Sequence, residues 1–117
     1  MRDISEYSLQ KRERIKRKEE ISTILSNGEK WKSLLFTIMY SRNEITYDRI
    51  GILLSRENGK ATERNRVKRV FREVFRRNKL RYPPFYDILI RPRFEALEKK
   101  FTEIEDSYRK WIQSAKK

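Results

Sequence analysis

Thr62-Glu63-Arg64-Asn65-Arg66-Val67-Lys68-Arg69-Val70-Phe71-Arg72-Glu73-Val74-Phe75-Arg76-Arg77 is the stretch whose reading decides the fold. Val67, Val70, Phe71, Val74 and Phe75 recur at i, i+3, i+4, i+7 and i+8, the period of one helical face. The spacing predicts a helix capped by Thr62 and running to about Lys79. At about 100° per residue, Asn65, Arg69, Arg72 and Arg76 fall in an arc of about 60° on the opposite side. Arg64, Lys68 and Lys79 flank that arc on one side and Arg66 on the other. One helix thus has a dry stripe to bury and a ridge of guanidinium groups to present.

The stripe needs a sheet to cover it, and strand-like runs lie on both sides. Upstream, Leu34-Leu35-Phe36-Thr37-Ile38-Met39-Tyr40 is rich in β-formers. Ile50-Gly51-Ile52-Leu53-Leu54, apolar on both faces, reads as a central covered strand. These two runs are expected to pair as an antiparallel hairpin, with Asn43 in the turn and Trp31 on a short extra edge strand. Asn58-Gly59 marks a turn before the helix. Downstream, Tyr82-Pro83-Pro84 stops the helix, and Tyr86-Asp87-Ile88-Leu89-Ile90-Arg91 forms a further strand closed by Pro92. The strand–helix–strand unit over residues 49–91 makes its two strands parallel.

Farther out, Ile21, Ile24 and Leu25 share one short helical face, which Asn27-Gly28 ends through a left-handed glycine cap. Phe94, Leu97, Phe101, Ile104, Tyr108 and Ile112 recur at helical spacing, predicting an amphipathic C-terminal helix with a break near Thr102. Its aromatics, Phe101, Tyr108 and Trp111, read as packing residues rather than platforms for bases. The expected fold is an α+β sandwich: a small mixed sheet of about four strands with three helices.

The chain has 117 residues, which fits a single domain over residues 1–117, with residues 1–17 as a basic, loosely held arm. It has 30 Lys and Arg against 17 Asp and Glu, no His and no Cys, for a net charge of +13. The missing residues exclude disulfides, thiolate metal sites and histidine- or cysteine-based catalysis. Residues 60–81 carry ten cations against Glu63 and Glu73, or +8 of that +13. A merely solvated helix would mix both signs for i,i+4 pairing, and this face does not. Arginine forks suit phosphate oxygens, and their planes stack on unpaired bases. The pattern points to nucleic acid as the partner. No apolar run approaches the roughly 18 residues needed to span a bilayer, and residues 1–10 hold no signal-like apolar segment. The expectation is a soluble, cytoplasmic protein with no membrane partner and no small-molecule substrate.

Arg64-Asn65-Arg66-Val67-Lys68-Arg69-Val70-Phe71-Arg72-Glu73 closely resembles the signature helix of the bacterial ribonuclease P protein component, its RNR motif. Gly28, the run 36–40, Arg49-Ile50-Gly51 and Asp87-Ile88-Leu89-Ile90 follow in the family's order and spacing, so the resemblance spans roughly residues 9–113. It implies an α/β sandwich with a left-handed β–α–β crossover. It also implies the small subunit of a ribonucleoprotein endonuclease that removes the 5′ leader from precursor tRNA. The partners implied are a catalytic RNA and precursor tRNA, with Mg2+ held mainly by RNA and substrate and no catalytic or metal-binding residue on the protein.

By the same resemblance, Arg64, Asn65, Arg66, Lys68, Arg69, Arg72 and Arg76 form the RNA-binding face. Ile21, Leu25, Thr37, Met39, Leu53 and Ser55 line a cleft for the single-stranded leader. The chain departs from the family there: members commonly carry Phe at the two helix positions and an aromatic on the facing strand. Glu57 also stands where a Lys or Arg is usual. Aliphatic side chains forgo much of a stacking contribution of roughly 1–3 kcal/mol per base.

Two other readings come from the residues alone. A stand-alone basic DNA- or RNA-binding module could place the Arg helix in a groove, but no helix-turn-helix partner precedes that helix. An intrinsic nuclease would need several converging carboxylates, and only Asp48 and Asp87 stand near strand ends.

Overall fold

The computed structural model describes residues 11–55, 59–79 and 82–116. In chain order its elements are α1 (Lys18–Asn27), β1 (Glu29–Lys32), β2 (Phe36–Arg42), β3 (Arg49–Ile52), α2 (Ala61–Arg77), β4 (Tyr86–Pro92) and α3 (Phe101–Ala115). The strands form one mixed sheet in the order β1-β2-β4-β3. β2 runs antiparallel to both β1 and β4, and β3 runs parallel to β4. This is the expected α+β architecture, with β1 supplying the edge strand around Trp31.

The strand order corrects two expectations. β2 and β3 do not form a hairpin, because β4 lies between them. Ile88, Leu89 and Ile90 of β4 are each 0% exposed, so this strand is apolar on both faces and takes the centre. β3 is therefore an edge strand, not a central one. Its two-sided burial has a different cause: the N-terminal segment covers its outer edge. The Ile15 N–H donates to the Ile50 carbonyl at 2.9 Å, and Arg14 bridges to Ile50 in parallel. Gly51 permits this approach, since a Cβ there would sit 2.9 Å from Leu89 Cδ2 and 3.3 Å from the Ile15 carbonyl.

The structure thus places residues 11–17 differently from a loosely held arm. Lys11–Glu13 forms a 3-10 turn, and buried Glu13 accepts a hydrogen bond from the Lys79 ammonium at 2.8 Å. Residues 1–10 lie outside the described residues, as do Arg56, Glu57, Asn58 and Arg81, on which the turn and charge patterns partly rest.

Gly28 does end α1, but not through a left-handed turn. Its φ is −75°. Its role is close approach: a Cβ would meet the Ile24 carbonyl at 2.5 Å and the Tyr40 carbonyl at 3.0 Å. α2 begins one residue before Thr62, with Lys60 at the cap. Glu63 reaches back to accept the Lys60 N–H at 3.1 Å, which fixes the earlier start. At the other end the Asn78 side-chain amide donates to the Val74 carbonyl at 2.7 Å, and the helix closes at Arg77. The C-terminal pattern divides at residues 99–100, between a 3-10 turn (Phe94–Glu98) and α3.

The two sheet faces differ. One carries the main core: Phe36, Ile38 and Tyr40 of β2 with Tyr86, Ile88 and Ile90 of β4. Val67, Phe71, Val74 and Phe75 of α2 and Ile104, Tyr108 and Trp111 of α3 close over it. The helix stripe therefore faces the sheet, and the α3 aromatics are core. Burial of each such side chain stabilises the fold by about 1.5–3 kcal/mol. At the end of this core, Lys116 and Asp48 form a 2.8 Å ion pair, with side chains 1% and 9% exposed. The other face is only partly covered. There α1 and the N-terminal segment pack Ile15 and Ile24 on Met39 and Leu89.

Candidate nucleic-acid interface

Packing of the α2 stripe orients the opposite face of that helix outward. Asn65, Arg66 and Arg69 are exposed, and Arg64, Lys68, Arg72 and Arg76 are half-buried. The expected residues thus share one outward side of α2, but they are not equivalent. Arg66 donates to the Leu97 carbonyl, tying the helix to the 3-10 turn before α3. Arg76 Nε donates to Glu73 at 2.9 Å. That contact raises the Arg76 pKa and lowers that of Glu73. Arg77 turns away toward α3, with its guanidinium 5.0 Å from the Phe101 ring centroid and Nε 3.6 Å from Glu105.

Arg72 has a neighbour that sequence spacing does not reveal. Burial, and secondly the charge of Arg14, lower its pKa. Arg14 arrives from the segment that covers β3, and its Nε is buried without a hydrogen-bond partner among the described residues. Arg64 Nε is in the same condition. Buried donors of this kind call for an acceptor. A phosphate oxygen supplies both an acceptor and a compensating charge. The only sequence signal for Arg14 is its place in the basic run over residues 11–18.

All the expected cleft residues but Ser55 lie on the partly covered sheet face. Ile21, Leu25 and Leu53 pack around the cluster of Ile15, Ile24, Met39 and Leu89. Met39 is itself 1% exposed, so it forms the floor rather than an open contact surface. Thr37 lies farther along the same face, in a depression of about 330 Å³ that also touches Met39. Ser55 is exposed, two residues past Leu53 and outside this apolar cluster. Four cations that sequence reasoning missed line the same depression: Lys30, Lys32, Arg91 and Arg93. The available signal was strand alternation, which puts Lys30 and Lys32 on the side opposite Trp31.

One end of the cleft face is fixed by ionic contacts. Arg49 grips Asp87 through two bonds, Nε to Oδ1 at 2.8 Å and Nη2 to Oδ2 at 2.6 Å, and Glu20 of α1 at 2.7 Å. These carboxylates raise the Arg49 pKa. The two acids considered for nuclease chemistry are both engaged: Asp87 by Arg49, and Asp48 by Lys116 and the Tyr86 N–H at 2.7 Å. Burial raises the Asp48 pKa, against the opposing pull of Lys116. Among the described residues no group of three acidic side chains converges to hold a metal ion. The donors of the described residues do not fit a protein-held magnesium site. Among the same residues no helix is long and apolar enough to cross a membrane.

Comparison with known proteins agrees with this fold. The family model for ribonuclease P matches residues 9–116. The ribonuclease P protein component of Thermotoga petrophila is 36% identical over 98 residues, covering 84% of this chain and 83% of the relative. The solved RNase P protein of Thermotoga maritima superposes with a TM-score of 0.78 at 30% identity, covering 87% of this chain and 96% of that one. A Staphylococcus aureus RNase P protein mutant, described as defective in mRNA degradation activity, gives a TM-score of 0.81 at 29% identity. It is covered over 90% of its length by 91% of this chain. The chain belongs to the ribonuclease P protein family, the non-catalytic protein component of a tRNA-processing endoribonuclease.

Proposed function

We propose that this chain, acting as a single domain in the cytoplasm, docks on a catalytic RNA through α2 and holds the 5′ leader of precursor tRNA along the α1–sheet cleft. The observation that carries this reading is the outward face of α2. Arg64, Arg69 and Arg72 stand there, with Arg14 near Arg72, on a helix whose opposite stripe is locked in the core. Asn65, Arg66 and Lys68 complete the contact surface, while Arg76 is shared with Glu73.

The protein's part is to bind and orient. Cations on α2 and the N-terminal segment neutralise phosphates that would otherwise repel the substrate strand. The leader, held over Ile21, Leu25 and the floor made by Met39, is kept extended and unpaired. Leu53 and Thr37 bound the same path. Magnesium, where bound by RNA and substrate phosphates, would supply Lewis acidity and an activated water for hydrolysis, and the residues of this chain would only bind and orient.

The test is reconstitution. Protein alone, catalytic RNA alone and the two together are assayed on precursor tRNA with magnesium at low salt. The complex is expected to cleave faster than RNA alone, and the protein by itself to cleave nothing. Efficient cleavage by the RNA-free protein would overturn the assignment.

A further inference from the structure

The depression on the partly covered sheet face has an order that the apolar cleft does not explain. Strand register aligns side chains in rows across the sheet. Lys30, Met39 and Leu89 form one row, and Lys32, Thr37 and Arg91 form the next. The first row ends in the apolar floor beneath α1. The second stays open: Lys32 and Arg91 are exposed, and only half-buried Thr37 lies between them. Adjacent strands are about 4.8 Å apart, so the backbones carrying these two cations lie roughly 10 Å apart. Lys30 and Arg93 add two more charges to the same depression. No ion-pair partner is found for any of the four among the described residues.

Like charges gathered without acids destabilise the folded chain slightly, and an anion relieves that repulsion. Long flexible arms on either side of a small hydroxyl suit a sugar–phosphate backbone laid across the strands. The charges take its phosphates, and the Thr37 hydroxyl can exchange a hydrogen bond with a base edge or a ribose 2′-OH. None of the residues lining the depression is aromatic, so recognition there is of backbone rather than of stacked bases.

We propose that the row Lys32–Thr37–Arg91, with Lys30 and Arg93, is an extension of the leader site onto β1. It seats phosphates of leader nucleotides lying beyond those held over Ile21 and Leu25. The inference rests on the cleft being the leader site. It assigns to this chain a cationic compensation for the aromatic side chains missing from that cleft.

The experiment uses the reconstituted ribonucleoprotein and precursor tRNAs with leaders of increasing length, beside mature tRNA. Lys32→Ala with Arg91→Ala is compared with the native chain and with the charge-preserving pair Lys32→Arg and Arg91→Lys. The native complex is expected to gain affinity as the leader lengthens. In the alanine pair that gain stops early, and the longest leader binds roughly tenfold more weakly at low salt. The slope of log affinity against log salt falls by roughly 0.7 for each single-strand phosphate no longer neutralised. Mature tRNA and the shortest leader are unaffected, and the charge-preserving pair behaves as native.

An unchanged leader-length profile in the alanine pair, with Ile21→Ala still weakening leader binding, overturns the extension alone. An equal loss on mature tRNA also overturns it, by assigning these cations to the tRNA body or the catalytic RNA. A native complex indifferent to leader length overturns the cleft reading and the extension together.

Discussion

Asp48 and Lys116 meet at 2.8 Å in a site almost closed to water, joining the loop after β2 to the end of α3. The Tyr86 N–H completes the carboxylate's partners, and the Tyr86 hydroxyl donates to the Ala115 carbonyl at 2.9 Å. The end of α3 is thus held by one ion pair and one hydrogen bond.

Removing one partner of a buried pair leaves the other charge uncompensated. Asp48→Ala is expected to lower unfolding free energy by about 3–5 kcal/mol, because the Lys116 ammonium remains buried. Urea denaturation measures this. Asp48→Leu with Lys116→Met should recover much of the loss, since apolar replacement removes both desolvation costs. A double variant no more stable than the single one would contradict this account of the pair.

On the RNA side, Arg69→Ala and Arg72→Ala should leave thermal stability nearly native, since neither side chain joins the core. Assembly with catalytic RNA should weaken, and the salt slope should fall by roughly 0.7–0.9 for each phosphate that goes unneutralised. Filter binding across a salt series reads both quantities. Retention of full affinity and slope would remove this face from the interface.

Ile21→Phe places an aromatic ring where the cleft is now aliphatic. Ile21 is half-buried at the margin of the Ile24 and Met39 cluster, so the larger ring can project toward the leader. One stacked base is worth about 1–3 kcal/mol, so leader-bearing substrate should bind several-fold more tightly or better. Mature tRNA, which has no leader, serves as the control and should show no change.

Tyrosine titration reports on the core. Burial, followed by the hydrogen bond and charge of Glu29, pushes Tyr40 up to about 12. Burial also pushes Tyr108 well above the ordinary tyrosine range. Both groups have a folded pKa above the unfolded one. Their contribution to stability is therefore complete below about pH 10 and is lost as pH rises through the folded values. Tyrosinate absorbance should show these two ionising above the ordinary tyrosine range, and Tyr40→Phe should flatten the alkaline fall in stability. Ionisation of Tyr40 and Tyr108 in the ordinary tyrosine range in the folded protein would contradict that placement.

Local pattern makes some of this legible and not the rest. The stripe over residues 67–75 determines both faces of α2, because a 3.6-residue period specifies inside and outside at once. Ile21, Leu25, Met39 and Leu53 also come together on one sheet face, as strand parity and helix spacing predict. Neighbour relations between strands are another matter. The runs around Ile38 and Ile52 are each compatible with several partners. β4 takes the centre because burial on both its faces is the most favourable global arrangement, which no local window contains. The Arg14–Arg72 approach, the Glu13–Lys79 pair and the Lys32–Thr37–Arg91 row are likewise products of tertiary register. Gly28 is a helix stop, as its position suggests, but for a reason other than a left-handed cap, since a close carbonyl leaves no trace in sequence.

Two of these long-range clasps interleave along the chain. Glu13 closes on Lys79 across 66 residues, and Asp48 closes on Lys116 across 68. Each loop contains one end of the other, so no cut between residues 48 and 79 leaves either intact. Such a chain has no autonomous half. It should fold and unfold as one cooperative unit, at a rate limited by its distant closures rather than by its helices. The outward face of α2 and the α1–sheet cleft then appear and vanish together. A partly folded chain that keeps one of these surfaces without the other is not a stable state of this topology.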